Sequence, residues 1–286
     1  MRRCLFPNKR LVPEWHGKPP FWRILTLFGF LVSLAFPPQA QAQAAPEVDL
    51  ALVLAVDISF SMDMEEQILQ REGYVAALTS RPVLDAIRAG LIGRIGVTYL
   101  EWAGTATQNV TVDWAIIEDE KTAEAFAKRL RDAPINRARR TSITGAIDFA
   151  MRRLEAAPLR PLRRVIDVSG DGPNNEGGLV TSKRDAAVTA GITINGLPII
   201  LNRGSGSMFD TPNLDAYYRD CVIGGPGAFM VTITERAQFP QAIRSKILRE
   251  IADNASGQPD MPFTPAQGGS HCLIGEEQWQ RVWERN

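Results

Sequence analysis

An apolar run, Val48-Asp49-Leu50-Ala51-Leu52-Val53-Leu54-Ala55-Val56, ends in three oxygen-bearing side chains at alternate positions, Asp57, Ser59 and Ser61. It is too short to span a membrane and rich in Val and Leu, the composition of a strand covered on both faces of a parallel sheet. Polar residues then lead into Met64-Glu65-Glu66-Gln67-Ile68-Leu69, a helical pattern. A strand that passes through a polar loop into a helix is where open α/β sheets hold their ligands, at the carboxyl ends of strands.

The chain has 286 residues, 45% of them hydrophobic, and no net charge. That is one large domain, or a domain plus a tail, with ample material for a core. The balanced charge gives no support for nucleic acid or an anionic membrane surface as partner. Helical spacing covers residues 62–79 and 83–89, and strands are predicted over 94–102 and 108–114. The short link between those strands suits a hairpin, so the second of them is expected as an antiparallel edge. Further helices are expected over 119–131, 143–157, 181–190, 212–221 and 239–252, and strands over 163–169, 192–200 and 229–233. Residues 202–210, rich in Gly and Ser, read as a mobile loop. The alternation predicts a doubly wound, Rossmann-like, mostly parallel six-stranded sheet with one antiparallel edge strand and helices on both faces.

The two ends read differently. Residues 1–44 carry a basic lead, an apolar stretch over 24–36 that is short for a spanning helix, a Pro37-Pro38 stop, and small-x-small sites near Ala42 to Ala44. This is the pattern of a bacterial export signal, with an uncleaved anchor as the rival reading. Residues 45–252 form the domain, and 253–286 a loosely structured tail with a short helix near Trp279 and Trp283. The expected location is periplasmic or secreted, with no membrane span in the mature chain. Cys4 leaves with the signal, so Cys221 and Cys272 are an even pair in an oxidising compartment. A disulfide tying the tail to the domain is one reading; two separate thiols is the other.

Three polar segments fall at strand ends: Asp57-x-Ser59-x-Ser61, the loop carrying Thr141, and Ser169-Gly170-Asp171-Gly172. They offer carboxylates, hydroxyls and backbone carbonyls, with no His or Cys. Such hard oxygen donors suit Mg²⁺, or Mn²⁺ or Ca²⁺, rather than zinc or copper.

Asp57-Ile58-Ser59-Phe60-Ser61, Arg140-Thr141-Ser142-Ile143-Thr144-Gly145-Ala146-Ile147 and Val168-Ser169-Gly170-Asp171-Gly172 resemble, in order, the three parts of the metal-ion-dependent adhesion site of the von Willebrand factor A domain. The resemblance runs over roughly 48–252. Ser169-Gly170-Asp171-Gly172-Pro173-Asn174-Asn175 and the surroundings of Cys221 are most similar to the DUF1194 group of exported bacterial proteins of unknown function. The resemblance implies that Ser59 and Ser61 bind the metal through their hydroxyls and that Thr141 binds it directly or through water. It implies that Asp57 and Asp171 hold it largely through water and fix the serines. One coordination position would stay open for a carboxylate of a protein partner. Many relatives have Thr-Asp-Gly where this chain has Ser169-Gly170-Asp171-Gly172, so the register allows Asp167 as a fallback for Asp171, and Thr144 is one for Thr141.

Each residue also has a plainer reading: Asp57 as a loop carboxylate beside a helix start, Thr141 as a helix N-cap, and Asp171 as a turn residue. Arg137, Arg139 and Arg140 read as a solvated face or, beside the metal, as a feature that suits an acidic partner. Catalysis is not expected. His16 lies in the leader and His271 in the tail, and there is no Gly-x-Ser-x-Gly elbow or phosphate loop. The expected function is an exported, cation-dependent binding module that captures an acidic group. The alternatives are a metal-dependent hydrolase using Ser59 or Asp57, or a structural envelope protein with a vestigial site.

Overall fold

The computed structural model describes residues 44–201, 213–252 and 270–284. Residues 1–43, where the export signal is expected, 202–212, which include the expected Gly/Ser-rich loop, 253–269 and 285–286 lie outside the described residues. The apolar run is the strand β1 (Glu47–Asp57), and from Val48 onward every residue of it is buried. Its period-two alternation feeds two cores. Leu50, Leu52, Leu54 and Val56 face one, while Ala51, Val53 and Ala55 face the other. A strand apolar on both faces must lie inside a sheet covered on both sides, and β1 is the central strand of five.

The other strands are β2 (Ile95–Trp102), β3 (Gln108–Ile117), β4 (Arg160–Gly170) and β5 (Thr193–Pro198), in the spatial order β3-β2-β1-β4-β5. β1 pairs in parallel with β2 and β4, β5 pairs in parallel with β4, and β3 is the antiparallel edge. The sheet has five strands rather than the expected six. Residues 229–233 make only isolated bridges, Met230 with Gly196 and Ile233 with Ile199. Gly196 N–H donates to the Phe229 carbonyl, Val231 N–H to Gly196, Ile233 N–H to Pro198, and Ile200 N–H to Ile233. The missing rung is the one Pro198 would donate, and proline has no N–H to give.

In chain order the helices are α1 (Met64–Leu78), α2 (Arg81–Arg88), α3 (Glu120–Asp132), α4 (Ile143–Glu155), α5 (Val180–Thr189), α6 (Leu214–Tyr217), α7 (Phe239–Ala252) and α8 (Ile274–Trp283). Side chains of α1, α2, α3 and α7 fill the core on one face of the sheet, and those of α4, α5 and α6 the core on the other. The helix expected over 212–221 is the short α6 followed by a π turn, Tyr218–Val222. Asp63 starts α1 as a capping box: its carboxylate accepts the Glu66 N–H, and Glu66 accepts the Asp63 N–H. No helix among the described residues is long and apolar enough to cross a membrane.

Candidate metal centre

β1 ends in Asp57, which is wholly buried. The chain then doubles back: Ser59 N–H donates to Asp57 Oδ1 at 2.6 Å, and Met62 N–H to the Ser59 carbonyl at 3.1 Å. Ala138 N–H reaches the Ile58 carbonyl at 3.0 Å, and the Arg137 guanidinium clamps the carbonyls of Phe60 (2.9 Å) and Met62 (2.7 Å). Arg137 is therefore a fastener of this loop. The turn brings the Ser59 and Ser61 hydroxyls within 2.8 Å of each other, and Ser61 donates to Asp171 Oδ1 at 2.6 Å.

That contact decides the register of the third segment: Asp171, just past the end of β4, is the carboxylate beside the serines. Asp167 lies elsewhere. Its Oδ1 is 2.6 Å from the Lys246 ammonium of α7, which also bonds Glu250 Oε1 at 2.5 Å. Ser169 accepts from Gln70 Nε2 at 2.8 Å. The glycine that departs from the family pattern has a physical reason. A Cβ on Gly170 would lie 2.9 Å from both Asp57 Oδ2 and the Tyr218 hydroxyl.

The second segment is held by reciprocal bonds. Thr141 N–H donates to Asn175 Oδ1 at 3.0 Å, and Asn175 N–H to the Thr141 carbonyl at 2.8 Å. The N-cap of α4 is Ser142, whose hydroxyl accepts the Gly145 N–H. Thr141 is thus not the cap, and its hydroxyl makes no hydrogen bond to the described residues. Thr144 is committed to Asn174 Oδ1 and the Gly178 carbonyl. The structure brings Asp57, Ser59, Ser61 and Asp171 into one cluster, with Thr141 lining the same cavity as the two serines.

Among the described residues no three His, Cys, Asp or Glu side chains converge, so any cation held here rests on hydroxyls and a pair of carboxylates. The donors fit a hard cation on an observation beyond their identity: Asp57 Oδ2 is buried and has no hydrogen-bond partner. Burial and the neighbouring Asp171 carboxylate push the Asp57 carboxyl well above the usual carboxylate range. Two acids facing each other in a dry place favour either a proton or a cation between them.

The serines and Thr141 line a cavity of about 480 Å³. Phe60, Arg139, Arg140, Asn175 and Trp279 line the same cavity. Trp279 comes from α8, in the tail. Cys221 and Cys272 are disulfide-bonded, with Cα atoms 5.6 Å apart, which ties the start of α8 to the π turn. Asn174 Nδ2 donates to Glu276 Oε1 at 2.7 Å. A Cβ on Gly275 would come within 1.9 Å of the Asn174 carbonyl, so only glycine lets α8 lie this close. Sequence reasoning missed Asn175 and Trp279 as site residues. The Asn174-Asn175 pair after the glycines was a usable signal for the first; the Cys pair was the only signal for the second.

This mostly parallel five-stranded sheet, with one antiparallel edge and helices on both faces, is an α/β fold of the von Willebrand factor A type. The pilus adhesin SpaC from Lactobacillus rhamnosus GG is similar in structure, with a TM-score of 0.54 and 13% identity over 74% of this chain and 31% of that one. A von Willebrand factor type A protein from Catenulispora acidiphila has a TM-score of 0.49, with 13% identity over 72% and 43%. Proximal thread matrix protein 1 from the mussel byssus, with a zinc-occupied MIDAS motif, has a TM-score of 0.48, with 12% identity over 72% and 49%. The chain spans less than half the length of each, and the SpaC likeness shows the fold alone. Residues 47–255 match the family described as protein of unknown function (DUF1194), and the chain belongs to that family. No curated protein matches it in sequence.

Proposed function

We propose that this chain is a divalent-cation-dependent binding module whose site captures a carboxylate of a protein partner. The observation that carries the reading is the cluster Asp57–Ser59–Ser61–Asp171, in which a buried carboxylate oxygen is left without a partner. The hydroxyls of Ser59, Ser61 and Thr141 would hold the ion, and Asp57 and Asp171 would neutralise it and orient the serines. A bound Mg²⁺, Mn²⁺ or Ca²⁺ supplies an electrophilic position for an incoming anionic oxygen. The residues do the rest: the Ser59 N–H fixes the Asp57 carboxylate, Asp171 fixes Ser61, and Arg137 holds the loop carbonyls in place.

A binding role is favoured over catalysis because the described cluster contains hydroxyls but no imidazole or amine to activate one. SpaC, which shares the fold, is a pilus adhesin, and a binding role here agrees with that. The N-terminal pattern and the disulfide support export to the periplasm or beyond.

Calorimetry tests the cation: Mg²⁺ titrated into the protein gives saturable heat in the wild type and none in Asp57→Ala. Equal heat in both, or none in either, defeats the reading. Partner capture with and without EDTA tests the role, since capture insensitive to chelator favours a structural protein. Hydrolase activity lost in Ser59→Ala would restore the catalytic alternative.

A further inference from the structure

The cavity that the serines line is also lined by two arginines and two aromatic rings, Arg139, Arg140, Phe60 and Trp279, which the proposed cation site does not use. Arg140 has a backbone φ of +73°, a conformation few non-glycine residues adopt. Such a conformation persists only where its surroundings enforce it. Here the enforced conformation places the guanidinium 3.9 Å from the centre of the Trp279 ring.

Stacking on an indole fixes the plane of a guanidinium and leaves its edge N–H groups free to donate, the geometry that takes a carboxylate in two parallel bonds. Neither Arg139 nor Arg140 has an ion pair among the described residues, whereas Arg137 is spent on loop carbonyls. Glu176 and Glu276, carboxylates of neighbouring segments, are engaged by Thr105 and Asn174.

The chemistry of this pair names the ligand: a guanidinium held against an indole, in the same cavity as the proposed cation site, suits a second carboxylate beside the one the cation takes.

We infer that α8, held over the domain by Cys221–Cys272, contributes a second subsite in which the stacked Arg140–Trp279 pair takes a second carboxylate of the same acidic segment. The ligand class is then a peptide segment with two acidic side chains near each other. This inference rests on the cation reading above and adds to it a subsite supplied by the tail.

The test uses the full, disulfide-bonded chain and end-blocked glycine peptides. One probe carries a single Asp; a matched set carries a second Asp one, two or three residues further on. Mg²⁺ is titrated alone first, then each peptide is titrated in saturating Mg²⁺. A charge-assisted bidentate contact is expected to make the best two-Asp peptide roughly tenfold tighter than the one-Asp peptide. Arg140→Gly suits the positive φ, so it is expected to keep the fold and the Mg²⁺ heat while that preference falls to about one. Trp279→Leu, made as a second variant, is expected to do the same. The inference is overturned if the wild type binds Mg²⁺ but does not prefer any two-Asp peptide, or binds neither kind. It is also overturned if the preference survives in both variants. Absence of Mg²⁺ heat in the wild type overturns the cation reading and this inference with it, so the two failures are told apart by the first titration.

Discussion

Replacing Asp57 by Asn should make the cation-free protein more stable while abolishing its response to the cation. Asp57 is wholly buried, faces Asp171, and has one oxygen with no partner. The amide would keep the acceptor that binds the Ser59 N–H at 2.6 Å. It would also remove the like charge and place a donor near the unpartnered Tyr218 hydroxyl, which shares the Gly170 cradle with Asp57 Oδ2. An unsatisfied buried acceptor costs about 1–3 kcal/mol, more when charged. The variant is therefore expected to gain at least about 1 kcal/mol in EDTA, and each kcal/mol raises the midpoint of a domain this size by roughly 2–4 °C. The sign with pH follows from the raised folded-state pKa of Asp57. The stability this group contributes is full below its unfolded-state value and is lost as pH rises through the folded-state value. The gain of the variant should thus grow as pH rises from acid. Mg²⁺ at about a hundred times its Kd should stabilise the wild type by about 2.7 kcal/mol and the variant not at all. Thermal unfolding in EDTA and in Mg²⁺ is the assay. A variant less stable than the wild type in EDTA, or equally stabilised by Mg²⁺, would refute the reasoning.

Away from the cavity, the Lys246 ammonium lies between the buried carboxylates of Asp167 and Glu250, and Lys246→Met should cost about 3–5 kcal/mol by stranding both. Urea denaturation measures this, and a loss below about 1 kcal/mol would contradict it. Burial pushes the Glu250 carboxyl up from 4.5 to about 7, offset in part by Lys246. Its contribution to stability is present below 4.5 and lost as pH rises through about 7. Glu250→Gln should flatten the stability profile over that window, checked by denaturation across pH. The disulfide closes a sequence separation of 51 residues, worth about 4 kcal/mol on chain entropy and commonly less in practice. Cys221→Ser with Cys272→Ser should lower stability by about 2–4 kcal/mol and leave Mg²⁺ heat unchanged, read by calorimetry of the same sample.

The order of strands and helices was legible because β1 is apolar at every position that faces either core, and because the hairpin link before Gln108 marks an edge. The sixth strand was not, since the pattern of residues 229–233 says nothing about the partner strand, and Pro198 on that partner removes a rung. Within the cluster, types and order pointed to Asp57, Ser59 and Ser61. The choice between Asp167 and Asp171 needed the neighbours: Lys246 claims the first, and Ser61 bonds the second. Thr141 and Ser142 look alike as caps in sequence; only the Ser142–Gly145 bond frees Thr141 from that role. Trp279 was illegible as a site residue, because a helix separated from the domain by residues 253–269 has no periodic relation to it. Its place depends on a disulfide and on the fit of Gly275 against Asn174.

The most direct test of the central claim is a crystal of the protein soaked in Mn²⁺, with anomalous differences recorded at the manganese edge. The expected result is a peak bounded by the hydroxyls of Ser59, Ser61 and Thr141, with Asp57 and Asp171 behind them, and no such peak in Asp57→Ala. A map with no peak in that cluster, or with the ion bound elsewhere in wild type and variant alike, would contradict it.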